Sequence, residues 1–123
     1  MLEKEELRSA LKQFTGTMIW YKHSLFQKYT YTEGVKFLCE NAGCYWLLDK
    51  ILIHQLFTHP LKDLDLDRQF WTLKVVEDSA GVLTCYRDSD EPVFSEELSF
   101  TDFPLEEISL WLLNNVLLLP SEY

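Results

Sequence analysis

Apolar residues in the first half of the chain recur at three- and four-residue intervals, the spacing of amphipathic helices. The pattern predicts three helices, over 3–14, 32–43 and 44–57. Thr32 is a suitable N-cap for the second of these helices, and Gly43 suits the left-handed position that follows it. A short alternating stretch at 17–23 predicts a strand between the first two helices.

Beyond Pro60 the hydrophobic period changes to two. The pattern predicts strands over 70–76 and 82–87, acidic turns over 77–81 and 88–92, and a further strand near 97–101. Residues 105–119 fit a helix or a hairpin, and a hairpin is preferred because Asn114 and Asn115 tolerate left-handed backbone. We therefore expect one α+β domain over 1–123, with N-terminal helices packed on an antiparallel sheet formed mainly by the C-terminal half; the strand order stays open.

The composition is that of a globular domain, because 47% of the 123 residues are hydrophobic and 15% are aromatic. No apolar run approaches the roughly 18 residues of a membrane span, so no membrane association is expected. The charged N-terminus lacks the apolar region of a secretory signal. The odd number of cysteines indicates reduced thiols. These observations predict a cytoplasmic protein.

The charge of the chain is divided unevenly between its halves. Residues 1–60 contain seven Lys and Arg against six Asp and Glu, whereas residues 61–123 contain four against fourteen. An acidic surface repels phosphates and attracts basic proteins. We therefore expect a protein partner, and no nucleic acid bound directly through its phosphates.

Two patterns bear on metal binding. Residues 63–67 begin like a calcium loop, but Arg68 and Lys74 occupy the positions where the EF-hand pattern requires Gly and Glu. A second arrangement would combine two histidines with a carboxylate, as in non-haem iron sites. Its candidate ligands are His54, His59, Asp63 and Asp65. Because Pro60 separates the two histidines in direction, we expect neither a metal site nor a cofactor.

The residue types of catalysis are present but not assembled into a motif. The chain has no Gly-x-Ser-x-Gly elbow and no glycine-rich phosphate loop. The cysteines at 39, 44 and 85 lie on apolar stripes and are expected to be buried. The candidate catalytic residues are His54, His59, Asp102 and Glu122. They would need to meet in one pocket between the apolar helix and the sheet.

Four phrases of the sequence carry a resemblance to a known family. They are Phe-Thr-Gly-Thr at 14–17, Tyr-Trp-Leu-Leu-Asp at 45–49 together with Gly34, Thr-Asp-Phe-Pro at 101–104, and Leu-Leu-Pro-Ser-Glu-Tyr at 118–123. The chain resembles, over nearly its whole length, a small family of uncharacterised bacterial proteins found in cyanobacteria and on mobile elements. The resemblance implies a bacterial cytosolic origin and an accessory role on a plasmid or phage, but no activity, cofactor or catalytic residue.

The sequence therefore favours a non-enzymatic protein that binds another protein through the acidic surface of its C-terminal half. One alternative is a small enzyme or small-molecule-binding protein that uses the pocket described above. Another is a DNA-mimicking inhibitor of a defence enzyme, although the acids fall largely in predicted turns rather than at phosphate-like intervals. The apolar residues of 105–119 also raise the prospect of a homodimer.

Overall fold

The structure is a computed structural model that describes residues 3–15, 19–57, 68–88 and 91–123. Its helices are α1 (Lys4–Leu11), α2 (Glu33–Ala42) and α3 (Tyr45–Phe57). Its strands are β1 (Trp20–Lys22), β2 (Thr30–Thr32), β3 (Arg68–Val75), β4 (Gly81–Asp88), β5 (Glu91–Leu98), β6 (Glu107–Leu113) and β7 (Val116–Leu118). Two short 3₁₀ turns complete the described elements, at Glu77–Ser79 and Pro120–Glu122.

The three predicted helices are confirmed, and the ends of α2 follow the predicted chemistry. The Thr32 hydroxyl accepts a hydrogen bond from the Val35 N–H at 3.3 Å, as an N-cap should. Gly43 closes the helix in the left-handed region, with φ at 62°. The first helix is shorter than predicted, since it ends at Leu11 rather than at Phe14. Phe14 lies beyond the end of the helix, and the centroid of its ring is 5.3 Å from that of Phe37.

The seven strands form one sheet in the order β1-β2-β7-β6-β3-β4-β5. Every neighbouring pair is antiparallel except β2 and β7, which are parallel. The α+β class is thus confirmed, but its predicted layout needs correction. The sheet is not confined to the C-terminal half, and the helices do not form one N-terminal block, because β1 and β2 lie between α1 and α2. A three-residue strand such as β2 is too short to show a recognisable alternation of apolar and polar residues.

The C-terminal strands settle two further predictions. Residues 105–119 contain the preferred hairpin, and Asn114 and Asn115 form its turn with φ angles of 49° and 67°. The strand expected near 97–101 is wrong in position, since β5 occupies Glu91–Leu98 and includes Pro92. Proline has no backbone N–H to donate to a neighbouring strand. It can lie in β5 because β5 is the last strand of the sheet and pairs on one side only.

The alternation of β3 gives the sheet one covered and one open face. Gln69, Trp71 and Leu73 are buried on the covered face, beneath a core whose helical members include Leu48 and Ile51. The intervening residues of β3 point the other way and form the middle of the open face. None of the described helices lies on that side: the residues there are half-buried or exposed, and they line a shallow cleft.

A pair of glutamine amides joins α3 to the covered face. Gln55 and Gln69 each donate to the side-chain oxygen of the other, at 2.8 and 2.7 Å. The oxygen of Gln69 also accepts from the Trp71 indole nitrogen at 2.9 Å. Buried amides require such partners, so these bonds fix the position of α3 over β3 as well as stabilise it.

Glu122 ties the C-terminal turn to the start of α2. Its carboxylate is buried and accepts from the Thr32 hydroxyl at 2.6 Å, the Leu119 N–H at 3.0 Å and the Gly34 N–H at 3.2 Å. A negative charge at the N-terminus of a helix is favourable. Gly34 is required here because a Cβ atom at this position would lie 2.6 Å from a carboxylate oxygen of Glu122. Together with the parallel β2–β7 pair, this contact attaches β1 and β2 to the rest of the sheet.

The Glu122→Gln variant tests this attachment. The amide nitrogen of glutamine cannot accept the Gly34 N–H, so we expect the free energy of unfolding to fall by about 2 kcal/mol at neutral pH. Chemical denaturation measures the loss. Glu40→Gln removes the same charge from an exposed pair with Lys36 and should change stability by less than about 0.5 kcal/mol. Equal losses in the two variants would contradict the structural role of Glu122.

Candidate functional site

A cluster of charged side chains joins α3 to the edge strand β5. The Nε2 atom of His54 lies 2.9 Å from one oxygen of Glu96, and the Nζ atom of Lys50 lies 3.1 Å from the other. Lys50 and His54 are four residues apart and therefore share one face of α3. Glu96 faces them because it lies opposite Leu83 of β4, on the covered face of the sheet.

Aromatic rings surround the histidine of this cluster. The His54 ring stacks on the indole of Trp71, with centroids 6.0 Å apart and an interplanar angle of 11°. The centroid of the Phe94 ring lies 4.5 Å from that of the His54 ring, at an interplanar angle of 54°. The side chain of His54 is only 14% exposed. A histidine held between aromatic rings and a carboxylate can transfer a proton, and it can equally act as a fixed ionic contact between helix and strand.

The cluster changes the acidity of its carboxylate. Burial alone would raise the pKa of Glu96, but hydrogen bonds and positive charge from His54 and Lys50 outweigh burial and hold the pKa below its ordinary value. Glu96 therefore stays ionised at neutral pH. The sequence does not single out Glu96. The strand predicted near 97–101 begins six residues after the observed start of β5 at Glu91, so the alternation that places Glu96 on the covered face is missed.

A depression of about 500 Å³ lies beside the cluster, between α3 and the chain that follows β5. Its lining includes Trp46, Lys50, Glu96 and the exposed side chain of Asp102. Of the sequence candidates, Asp102 lines this depression, whereas His54 is linked to it through its contact with Glu96. No hydrogen bond joins His54 to Asp102 among the described contacts. The turn at Asp102 is held instead by the Thr101 hydroxyl, which accepts from the Phe103 N–H at 3.2 Å.

The remaining candidates do not join this group. Glu122 lies at the start of α2, with both carboxylate oxygens engaged in the bonds given above. His59, Asp63 and Asp65 lie outside the described residues, so their proposed metal set with His54 stays a prediction. Within the described ranges, no group of three or more His, Cys, Asp or Glu side chains is arranged to hold a metal ion.

Comparison with known proteins places the chain in a family. Residues 5–123 match the model of a family of unknown function, DUF6876. The chain belongs to this family. No curated protein matches it, and no solved structure matches it. The resemblance inferred from the sequence is thereby confirmed as far as a family of unknown function; its distribution in cyanobacteria and on mobile elements stays a prediction.

This DUF6876 member has a second histidine–carboxylate pair, which the sequence did not reveal. His23 is buried, and its Nε2 atom lies 2.7 Å from Asp49 of α3. Its Nδ1 atom accepts two backbone N–H groups, from Leu25 and Phe26, both at 3.1 Å. These two bonds assign the remaining ring proton to Nε2, which donates to Asp49. Since both nitrogens are occupied, the pair fixes the turn that links β1 to β2.

The cysteines are buried as predicted. Burial raises the pKa of the Cys85 thiol to about 12. A hydrogen-bonding contact with Cys44, followed by burial, raises the pKa of the Cys39 thiol. A thiol with a raised pKa forms little thiolate at neutral pH, so Cys39 and Cys85 have the properties of packing residues rather than nucleophiles.

None of the helices in the described residues is long and apolar enough to cross a membrane.

The leucines of residues 105–119, which motivated the prediction of a homodimer, are mostly buried. The buried ones are Leu105, Leu110, Leu112, Leu117, Leu118 and Leu119. The homodimer stays a prediction, without support from exposed leucines at these positions.

Glu96→Gln tests the charged cluster through its pH dependence. A folded-state pKa below the unfolded value means that ionised Glu96 stabilises the fold above the unfolded pKa, near 4.5, and that this stability is lost as pH falls through the folded pKa. We expect the variant to be less stable than the native protein by about 1 kcal/mol at pH 7, with the difference vanishing in acid. Denaturant titrations over a series of pH values measure it.

The matched control is Glu97→Gln, which removes the neighbouring exposed carboxylate. Since Glu97 forms no ion pair with a described residue, its loss should change stability by less than about 0.5 kcal/mol at every pH. A stability difference for Glu96→Gln that persists unchanged in strong acid, where the carboxyl is protonated in both the folded and the unfolded state, would show that the ionised carboxylate is not what holds β5 to α3.

Proposed function

We propose that this protein is a non-enzymatic binding protein whose β5 edge recognises a basic, extended segment of another protein. The observation that carries the proposal is the position of β5 at the end of the sheet, bordered by acidic side chains. The proposal narrows the acidic surface expected from the sequence to one strand and the chain that follows it.

An edge strand supplies the main-chain part of such recognition. Among the described residues, β5 pairs with β4 on one side and with no strand on the other. Its eight residues therefore present a row of main-chain donors and acceptors that a partner strand can pair with. The hydrogen bonds of that pairing would give affinity with little dependence on the partner's sequence, so specificity must come from side chains.

Charge supplies that specificity. Glu91, Glu97 and Asp102 follow the edge, and none of them forms an ion pair with another described residue. Glu91 and Glu97 are six residues apart, which is about 20 Å along a strand. Glu96 differs from these three, because it already forms an ion pair with Lys50 and a hydrogen bond with His54. The other three acids favour a partner segment with Lys or Arg at intervals.

A bacterial cytoplasmic setting and an accessory role on a mobile element belong to the same proposal. Three reduced, buried thiols support a reducing compartment. The resemblance of the sequence supports the bacterial origin. The DNA-mimic alternative is less well supported, because mimicry needs a row of free carboxylates and the ion-paired Glu96 interrupts the acids along β5.

The small-enzyme alternative keeps one specific observation in its favour. His54 and Glu96 form a half-buried pair that can exchange a proton, and the depression lined by Asp102 adjoins it. The salt bridge of Glu96 with Lys50 argues for the anchoring role, because it leaves both carboxylate oxygens engaged.

A labelled octapeptide that alternates lysine and threonine tests the proposal by fluorescence anisotropy. We expect binding that weakens between about 50 and 300 mM salt, since exposed charges are screened over this range. Glu97→Lys should weaken binding by about five-fold or more, because it places a repelling charge at the edge. The amide signals of β5 should shift most in an NMR titration with the same peptide.

The control variant is Glu5→Lys, which makes the same change of charge on α1, where Glu5 is 85% exposed. Equal weakening by the two variants would mean that the peptide responds only to net charge. That result, or amide shifts concentrated away from residues 91–98, would refute recognition by the β5 edge.

A further inference from the structure

We propose that the open face of the sheet binds a small planar aromatic molecule that carries a carboxylate or a phosphate. A cleft of about 480 Å³ lies on this face, between the central strands and the side chain of Tyr123. Clefts of about 300–1,000 Å³ are the usual size for small ligands. The site is separate from the β5 edge, so neither proposal depends on the other.

The floor of the cleft begins with a row of aromatic side chains. The strand register places Tyr86 of β4 and Trp111 of β6 on either side of Phe70 of β3. The rings of Phe70 and Trp111 meet at 5.1 Å and 89°, and Tyr123 adds a fourth ring 5.5 Å from Trp111. All four residues are half-buried or exposed. Aromatic side chains on an uncovered strand face provide stacking partners for a planar ring.

A row of hydroxyl groups follows the aromatic row. Thr84 and Ser109 lie on either side of Thr72 in the same register, and the hydroxyls of Thr72 and Ser109 are 3.4 Å apart. Hydroxyl groups donate and accept hydrogen bonds, so they suit the polar edge of a heterocycle. Of these three residues Thr72 lines the cleft itself, so its hydroxyl is the one that adjoins the aromatic rings.

Arg68, one of the two cationic residues that line the cleft, determines the charge of the ligand. The guanidinium of Arg68 lies 6.0 Å from the centroid of Phe70 and 3.4 Å from the hydroxyl of Tyr123. No carboxylate of the described residues forms an ion pair with it. An arginine binds a carboxylate or phosphate through two parallel hydrogen bonds. Arg68 and Phe70 are two residues apart, about 7 Å along the strand, so ring and anion must be close.

The charge and shape of the face favour a small molecule over larger occupants. A nucleic-acid strand needs a track of cations, whereas the cleft offers Arg68 and Lys74 together with the carboxylate of Glu107, on a chain of net charge −9. A second copy of the chain fits less well, because two concave faces do not fill one another. The occupant that remains is a ring system with one anionic group.

Calorimetry with two probes tests the proposal, with adenosine 5′-monophosphate as the phosphate and indole-3-propionate as the carboxylate. We expect at least one probe to bind, and its uncharged counterpart, adenosine or indole-3-propanol, to bind about ten-fold more weakly. Arg68→Ala and Trp111→Leu should each reduce the affinity for the binding probe by about ten-fold. The matched controls are Arg87→Ala and Trp20→Leu, which change the same residue types at exposed positions on other parts of the sheet.

Three results would overturn the proposal. One is the absence of binding by either probe at about 10 mM, far above the useful range of a specific site. Another is an affinity for the probe that falls equally in Arg68→Ala and Arg87→Ala. Because Arg68 is exposed, the Arg68→Ala variant should still fold. The third is self-association in ultracentrifugation that Thr72→Lys abolishes, since the face would then join two copies of the chain.

Discussion

The structure depends on the alternation of β3, the strand that lies between β6 and β4. Because successive residues point to opposite sides, Trp71 and Leu73 anchor the core beneath the helices while Phe70 and Thr72 remain on the open face. A shift of one residue in register would exchange these sets, which makes the register costly to change. The amide pair of half-buried Gln55 and buried Gln69 fixes the helix above it.

This one-sided sheet gives the molecule two surfaces of different chemistry, to which the two binding proposals refer. The edge at β5 is acidic, and the cluster of His54, Lys50 and Glu96 holds its strand against α3. The open face combines aromatic rings with the cation of Arg68, which pairs with no carboxylate among the described residues. Neither surface competes with the core for its residues, because the covered face buries the apolar side chains of β3, β4 and β6.

The sequence predicted what local patterns determine. The helices, the capping of α2 by Thr32 and Gly43, and the hairpin at Asn114 follow from rules that act within a few residues. It missed β2 and misplaced β5, because a three-residue strand and a proline-containing edge strand are specified by their neighbours in the sheet. The contacts of His54 with Glu96 and of Glu122 with Gly34 join residues 42 and 88 positions apart, which no spacing rule reaches.

The most direct test of this account compares two neighbouring substitutions in β3, Thr72→Lys and Leu73→Lys. The free energy of unfolding of each variant, measured by chemical denaturation, reports whether its position is open or covered. Thr72→Lys should lie within about 1 kcal/mol of the native protein, whereas Leu73→Lys should abolish cooperative folding because it buries an unpaired charge. Equal and large losses in both variants would contradict the account, because the open face would then have to be covered.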